Sequence, residues 1–163
     1  LLSSLDEAGK FPASSGESES PATLAWCLYL RAGLHTAAGE FCEALSMLER
    51  ALSIESVVDF FEMKAFVLKN LGDSLGAIQS LDQGRLLDTK DRYINNQTAK
   101  YMLQAGQETE ALDRVAMFTK HEGNPEQNLF DMQCSWYELE LADSLASKSD
   151  WGRSLKKYGK STC

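Results

Sequence analysis

The chain has 163 residues, 44% of them hydrophobic and 25% charged, with a formal net charge of -8. That length suits one domain burying about 70% of its unfolded surface, and the acidic balance argues against direct nucleic-acid binding, which needs a basic surface to meet phosphate. No apolar run approaches the roughly 18 residues of a membrane helix, and Cys27, Cys42, Cys134 and Cys163 have neither C-x-x-C spacing nor a histidine at ligand spacing, so no metal site is expected.

The chain opens at Leu1 without a methionine and is read as a piece of a longer polypeptide. Leu1, Leu2 and Leu5, in residues 1–5, suggest the end of a preceding helix. Residues 6–22, rich in Ser, Gly, Glu and Pro without apolar period, read as a flexible connector. Residues 23–163 then read as about four helical hairpins. Pro21 suits the entry to a first helix reaching about Ala38, and Gly39 turns the chain into a second helix bearing Phe41, Ala44, Leu48 and Leu52. The second hairpin takes about 57–71 and 74–87 around Gly72, and the third about 91–105 and 108–120 around Gly106. After an insertion, HEGNPEQN, a long helix from about Leu129 to Ala146 and a final stretch through Trp151, Leu155 and Tyr158 make the fourth. The last helix ends soon after Tyr158, which leaves Trp151 and Tyr158 without a covering helix. Three cysteines fall in the helical stretches, where a thiol acts as a small apolar residue, and this favours a reduced intracellular compartment.

What unifies these elements is a small residue on two registers. Ala32, Ala65, Ala99 and Ala142 form one series; Ala44, Ala77, Ala111 and Ser154 form another, always twelve residues later, with Gly39, Gly72, Gly106 and Ser149 five residues before each member of the second. Antiparallel helices approach closely only where small side chains meet. The spacing therefore predicts an all-α tetratricopeptide-repeat solenoid, antiparallel hairpins stacked as part of a right-handed superhelix.

Phosphate-loop, metalloprotease and hydrolase signatures do not occur; His35 takes a helix position that in such repeats holds a packing residue, and His121 begins the insertion with no nucleophile near it in sequence, so no catalytic residue is expected. The first helix of each hairpin lines the concave side of such an array, which assigns Tyr29, Gly33 and Thr36, then Glu62, Phe66 and Lys69, then Asn96, Lys100 and Leu103, then Leu139, Asp143 and Ala146 to the groove. Lys69 and Lys100, with Arg92 nearby, fit either a solvated face or a pocket for an acidic peptide or polyphosphate. Charge is uneven: residues 1–62 balance at -7 and residues 148–160 at +4. The basic stretch fits a solvated last helix or an anionic partner.

Longer strings go beyond repeat patterning. LDTKDRYINNQTAKYMLQAG at 87–106, FTKHEG at 118–123 and NLFDMQCSWYELELADS at 128–144 closely resemble the tetratricopeptide auxiliary subunit of the eukaryotic N-terminal acetyltransferase A complex, and PATLAWCLYL, EMKAFVLKNLGD and GRSLKKY fit the same family. The resemblance covers about 140 residues. It implies a cytoplasmic, non-catalytic scaffold that binds a catalytic acetyltransferase subunit, anchors it to the ribosome for co-translational acetylation, and holds no cofactor of its own. The chain accordingly lacks the R/Q-x-x-G-x-G/A acetyl-CoA loop. The resemblance also implies inositol hexakisphosphate in the full complex, for which Lys69, Arg92 and Lys100 are the candidate contacts. A general tetratricopeptide peptide-binding adaptor or co-chaperone, clamping an acidic C-terminus with Lys69, Asn96 and Lys100, is the alternative.

Overall fold

A computed structural model describes residues 19–120 and 122–161, the last two by backbone only. The connector up to residue 18 and His121 therefore lie outside the described residues, as do residues 1–5. The described residues form helices and turns without a strand, and the chain divides into two units, Leu1–Leu87 and Asp88–Cys163.

In the first unit, helices α1 (Pro21–Ala37), α2 (Phe41–Ile54), α3 (Val58–Asn70) and α4 (Ser74–Leu87) make two antiparallel hairpins. Ser20 caps α1, its hydroxyl accepting from the Thr23 amide, and Pro21 occupies the first turn, where a missing N–H costs nothing. The helix thus claims the last two residues assigned to the connector. Ala32 and Ala44 are fully buried in one cluster with Leu48 and Val67, while Ala25, Leu28 and Ala51 pack with Phe60. Because Phe60 and Val67 belong to α3, the second hairpin's first helix completes the core of the first hairpin. Between α3 and α4 the crossing is close: Ser80 Oγ donates to the Phe61 carbonyl at 2.8 Å, and Gly84 lies so near that an added Cβ would stand 2.9 Å from Phe61 Cβ. Ala65 and Ala77 are fully buried.

The second unit contains α5 (Arg92–Gln104), α6 (Glu108–Ala116), α7 (Pro125–Asp131), α8 (Ser135–Ser147) and α9 (Trp151–Ser161). Asp91 caps α5 through the Tyr93 amide, and the fully buried Asn95 donates to the carbonyls of Thr89 and Asp91, which fastens the entry loop to the helix. Ala99, Ala111 and Ala142 are fully buried. In the last hairpin the two registers touch directly, Ser154 Oγ donating to the Ala142 carbonyl at 2.9 Å.

All four hairpins turn by one device. Gly39, Gly72, Gly106 and Ser149 have φ of 78°, 87°, 76° and 63°. At each, the residue's amide bonds a carbonyl three back and the next amide bonds one five back, as in Gly39 to Thr36 with Glu40 to His35, and Ser149 to Ala146 with Asp150 to Leu145. This is the Schellman closure, which satisfies terminal carbonyls and requires a left-handed residue that glycine adopts without steric cost.

Two expectations need correction. The stretch 108–120 is helical only to Ala116, after which Phe118 and Thr119 bond carbonyls three back in tight turns. The long fourth-hairpin helix from Leu129 is two helices, because Gln133 takes φ 57° and repeats the Schellman bonds, Gln133 to Phe130 and Cys134 to Leu129. The insertion is therefore not a plain connection: Asn124 caps α7, accepting from the Glu126 and Gln127 amides, and Pro125 starts it.

Ionic links join the elements of the second unit. Glu108 on α6 accepts from Ser144 Oγ at 2.7 Å and pairs with Lys148 Nζ at 2.6 Å, and Lys148 also donates to the Gly106 carbonyl. Burial raises the Glu108 pKa, but the bonds from Lys148 and Ser144 outweigh it and hold the carboxyl below its ordinary value of 4.5. Lys157 on α9 pairs with Glu126 on α7 and lies 3.1 Å from the buried Glu138 on α8, so one cation clamps three helices. Arg153 pairs with Asp150. Much of the basic tail is thus engaged with carboxylates of its own unit.

Two substitutions of the same chemistry should have opposite signs. At Gly33, mid-helix in α1, an added Cβ meets only Met63 Cε at an ordinary 3.6 Å, so Gly33→Ala is expected to raise the unfolding free energy by about 0.5–1 kcal/mol. At Gly84, overpacking costing about 1–3 kcal/mol outweighs the same helix gain, so Gly84→Ala should lower it. Urea unfolding of both variants checks the pair. Glu108→Gln should destabilise at pH 7. A depressed carboxyl stabilises above its unfolded pKa and loses that contribution as pH falls through its folded value, so the gap from wild type should close on acidification below about 4.5.

Candidate partner-binding faces

The face of the first unit is built where α1 and α3 run side by side. Tyr29, Gly33, Thr36 and Ala37 from α1 and Asp59, Glu62, Met63 and Phe66 from α3 line an open cavity of about 460 Å³. The i, i+4 spacing of Tyr29 with Gly33, and of Glu62 with Phe66, puts each pair on one helical side. Tyr29 is anchored beneath, stacked on the buried Phe60 with ring centroids 5.1 Å apart, and Trp26 meets Phe60 edge-on at 4.9 Å. Burial, then the carboxylates of Asp59 and Glu62, raise the Tyr29 pKa, so the hydroxyl stays neutral and available as a donor. Thr36 spends its hydroxyl on the Ala32 carbonyl. The concave positions Tyr29, Gly33, Thr36, Glu62 and Phe66 assigned from sequence are thus brought together. Lys69 is exposed and does not line the cavity.

The second unit presents a different surface. Arg92 and Asn96, one turn apart on α5, line a cavity of about 250 Å³ with Phe118, Leu129, Met132, Cys134 and Trp136. The Arg92 guanidinium lies 5.4 Å from the centre of the Phe118 ring, a cation–π contact. One turn further along, Lys100 pairs with Glu140 at 2.9 Å, and Gln104 donates to the other oxygen of that carboxylate. Leu103, assigned to the groove, is fully buried in the core, and Asp143 instead accepts from the Tyr158 hydroxyl, so Tyr158 is partly covered while Trp151 stays exposed. The first turn of α7 and its break from α8 escaped the sequence reading, which placed Leu129 and Met132 on one long helix; the capping Asn124-Pro125 pair is the signal that marks the start of α7.

Of the remaining candidates, His35 has structural partners. His35 accepts from Arg31 through Nε2 and donates through Nδ1 to Glu40 at 2.6 Å, which closes the first turn. Cys27, Cys42 and Cys134 are free thiols, and burial raises the Cys134 pKa, which leaves it a poor nucleophile. Among the described residues, no group of three or more His, Cys, Asp and Glu could hold a metal ion, and no helix is long and apolar enough to cross a membrane.

Hairpins closed by left-handed turns, with small residues at their crossings and open faces on their first helices, define a tetratricopeptide-repeat protein. The likeness to known proteins is narrower. Residues 1–161 match the family model described as N-terminal acetyltransferase A, auxiliary subunit, and the chain belongs to that family. It is 38% identical over 156 residues, 95% of its length, to the N-terminal acetyltransferase A complex auxiliary subunit NAA15 of Arabidopsis thaliana. It is 36% identical over 147 residues, 90% of its length, to the N-alpha-acetyltransferase 16, NatA auxiliary subunit, of Mus musculus. The chain spans 17% of the length of each relative. Among solved structures it is similar to a chain of Naa15/Naa10 bound to HypK-THB, with a TM-score of 0.80 and 33% identity over 84% of this chain and 21% of that one. YrrB, a tetratricopeptide protein at 20% identity and a TM-score of 0.63 over 86% of this chain and 68% of that one, shares the fold.

Proposed function

We propose that this chain is a segment of the non-catalytic scaffold of an N-terminal protein acetyltransferase, in which the catalytic activity lies in a separate partner subunit held by the repeats. The family match over residues 1–161 carries the reading, and a structural relative occurs in a complex of Naa15 with Naa10. The whole protein acts in the cytoplasm and positions its partner at the ribosome for co-translational acetylation. The chemistry of the chain agrees, since hairpin faces offer surface for a partner while His35 is engaged in closing the first turn and burial raises the Cys134 pKa.

Within that reading, Lys69 on the first unit, and Arg92 and Lys100 on the second, are each candidate contacts for a polyphosphate such as inositol hexakisphosphate in the full complex. Arg92 and Lys69 are exposed, and Lys100 would exchange its Glu140 carboxylate for phosphate. Each charge-assisted phosphate contact contributes about 1.5–3 kcal/mol.

The test uses the full-length protein that contains this segment, purified alone and with its catalytic partner, supplied with acetyl-CoA and peptides beginning Ser or Ala. Turnover is expected only with the partner, and turnover by the scaffold alone would overturn the reading. Calorimetric titration of inositol hexakisphosphate into the complex should give weaker binding for a Lys69→Glu, Lys100→Glu variant. Equal affinities would assign both lysines to solvated faces.

A further inference from the structure

We propose that the cavity between α1 and α3 is a docking groove for a basic segment of a protein partner, one that inserts an apolar side chain between flanking lysines or arginines. The inference goes beyond the scaffold reading and does not depend on which protein supplies the segment.

Three observations converge on this occupant. The floor is apolar and aromatic: Tyr29, Met63 and Phe66 line the groove, and Phe66 is 48% exposed, a large ring left in solvent. A single large aromatic on a surface is ordinary; one set beside a second ring and a thioether in a concave slot is an anchor pocket.

The rim is acidic. Asp59 and Glu62 stand one turn apart on α3, and after burial their carboxylates add to the rise in the Tyr29 pKa. Lys64 of α3 does not line the groove and pairs with Glu49 of α2 at 3.3 Å. A groove of this polarity attracts cations and repels carboxylates, phosphates and nucleic acid. It therefore selects against an acidic peptide.

The third observation is Gly33. A glycine in mid-helix costs about 1 kcal/mol relative to alanine, and here packing does not demand it, because a Cβ would meet Met63 at an ordinary distance. What the missing side chain does provide is width. Any larger residue at this position would fill the slot between Tyr29 and Phe66, so the helix gives up stability where the groove gains room.

The experiment is calorimetric titration of the 163-residue chain with a synthetic capped nonapeptide carrying one central leucine, two lysines on each side and a glycine–serine frame. Two control peptides replace the leucine with serine, or the lysines with glutamates. The basic leucine peptide should bind, and each control should bind about tenfold or more weakly, the loss expected when an anchor or its charge match is removed. Gly33→Leu, which leaves net charge unchanged and plugs the slot, should weaken the basic leucine peptide by a similar factor while the helical circular dichroism is retained. Phe66→Ala serves the same purpose if the Gly33 variant fails to fold. Asp59→Asn with Glu62→Gln should weaken binding, whereas Glu43→Gln with Glu110→Gln, which removes the same charge from exposed positions elsewhere, should not. No binding of the basic leucine peptide, equal binding of the serine or glutamate peptide, or equal losses from the two charge pairs would overturn the proposal.

Discussion

The structure depends on one steric constraint: two helices joined by a short turn can lie against each other only if their crossing point carries almost no side chain. A pair of buried alanines, or an alanine and a serine, meets that requirement in every hairpin. The Ser154 hydroxyl on the Ala142 carbonyl shows how near the backbones come. Close approach then explains the rest of the local design, because a reversal this tight needs a left-handed residue at its turn, supplied by three glycines and by Ser149. Small crossings also bring the large side chains of successive hairpins within reach, as when Phe60 and Val67 of α3 enter the core of α1 and α2. Stability in a repeat array comes from these neighbour contacts as much as from each hairpin alone.

Charge is distributed so that the two units offer different chemistry. In the second unit carboxylates and cations largely satisfy one another: Glu108 with Lys148, Glu140 with Lys100, and Glu126 and Glu138 with Lys157. The Lys157 cluster is the most buried of these. Removing one member of it would leave a desolvated charge, a loss larger than the net worth of the pair. In the first unit the face between α1 and α3 carries two carboxylates over an aromatic floor. A surface with an acidic apolar slot in one place and ion pairs in another can discriminate among peptide segments by polarity.

Most of the fold was legible because the signals are steric and local. Paired alanines twelve residues apart marked the crossings, glycines marked the turns, and counting along the first helices placed Tyr29, Gly33, Thr36, Glu62 and Phe66 on one face. What escaped did so for physical reasons. Gln133 adopts the left-handed turn that glycine marks elsewhere, so the break between α7 and α8 carries no compositional sign and two helices read as one. Leu103 continues the same helical spacing as the groove residues yet is fully buried, because its neighbours in the second unit close over it. Ion-pair partners such as Glu140 for Lys100 lie 40 positions away in sequence and follow only from the packing of α5 on α8.

The central claim is that small residues at the crossings set how near the helices lie. Replacing Ala65, fully buried on α3, with leucine tests it most directly, with unfolding free energy measured by urea denaturation and secondary structure by far-ultraviolet circular dichroism. Leucine favours helix nearly as well as alanine, so a change in stability reports the crossing and not the helix. The account predicts retained helicity with a loss of about 1–3 kcal/mol from overpacking. A leucine variant as stable as wild type would contradict it.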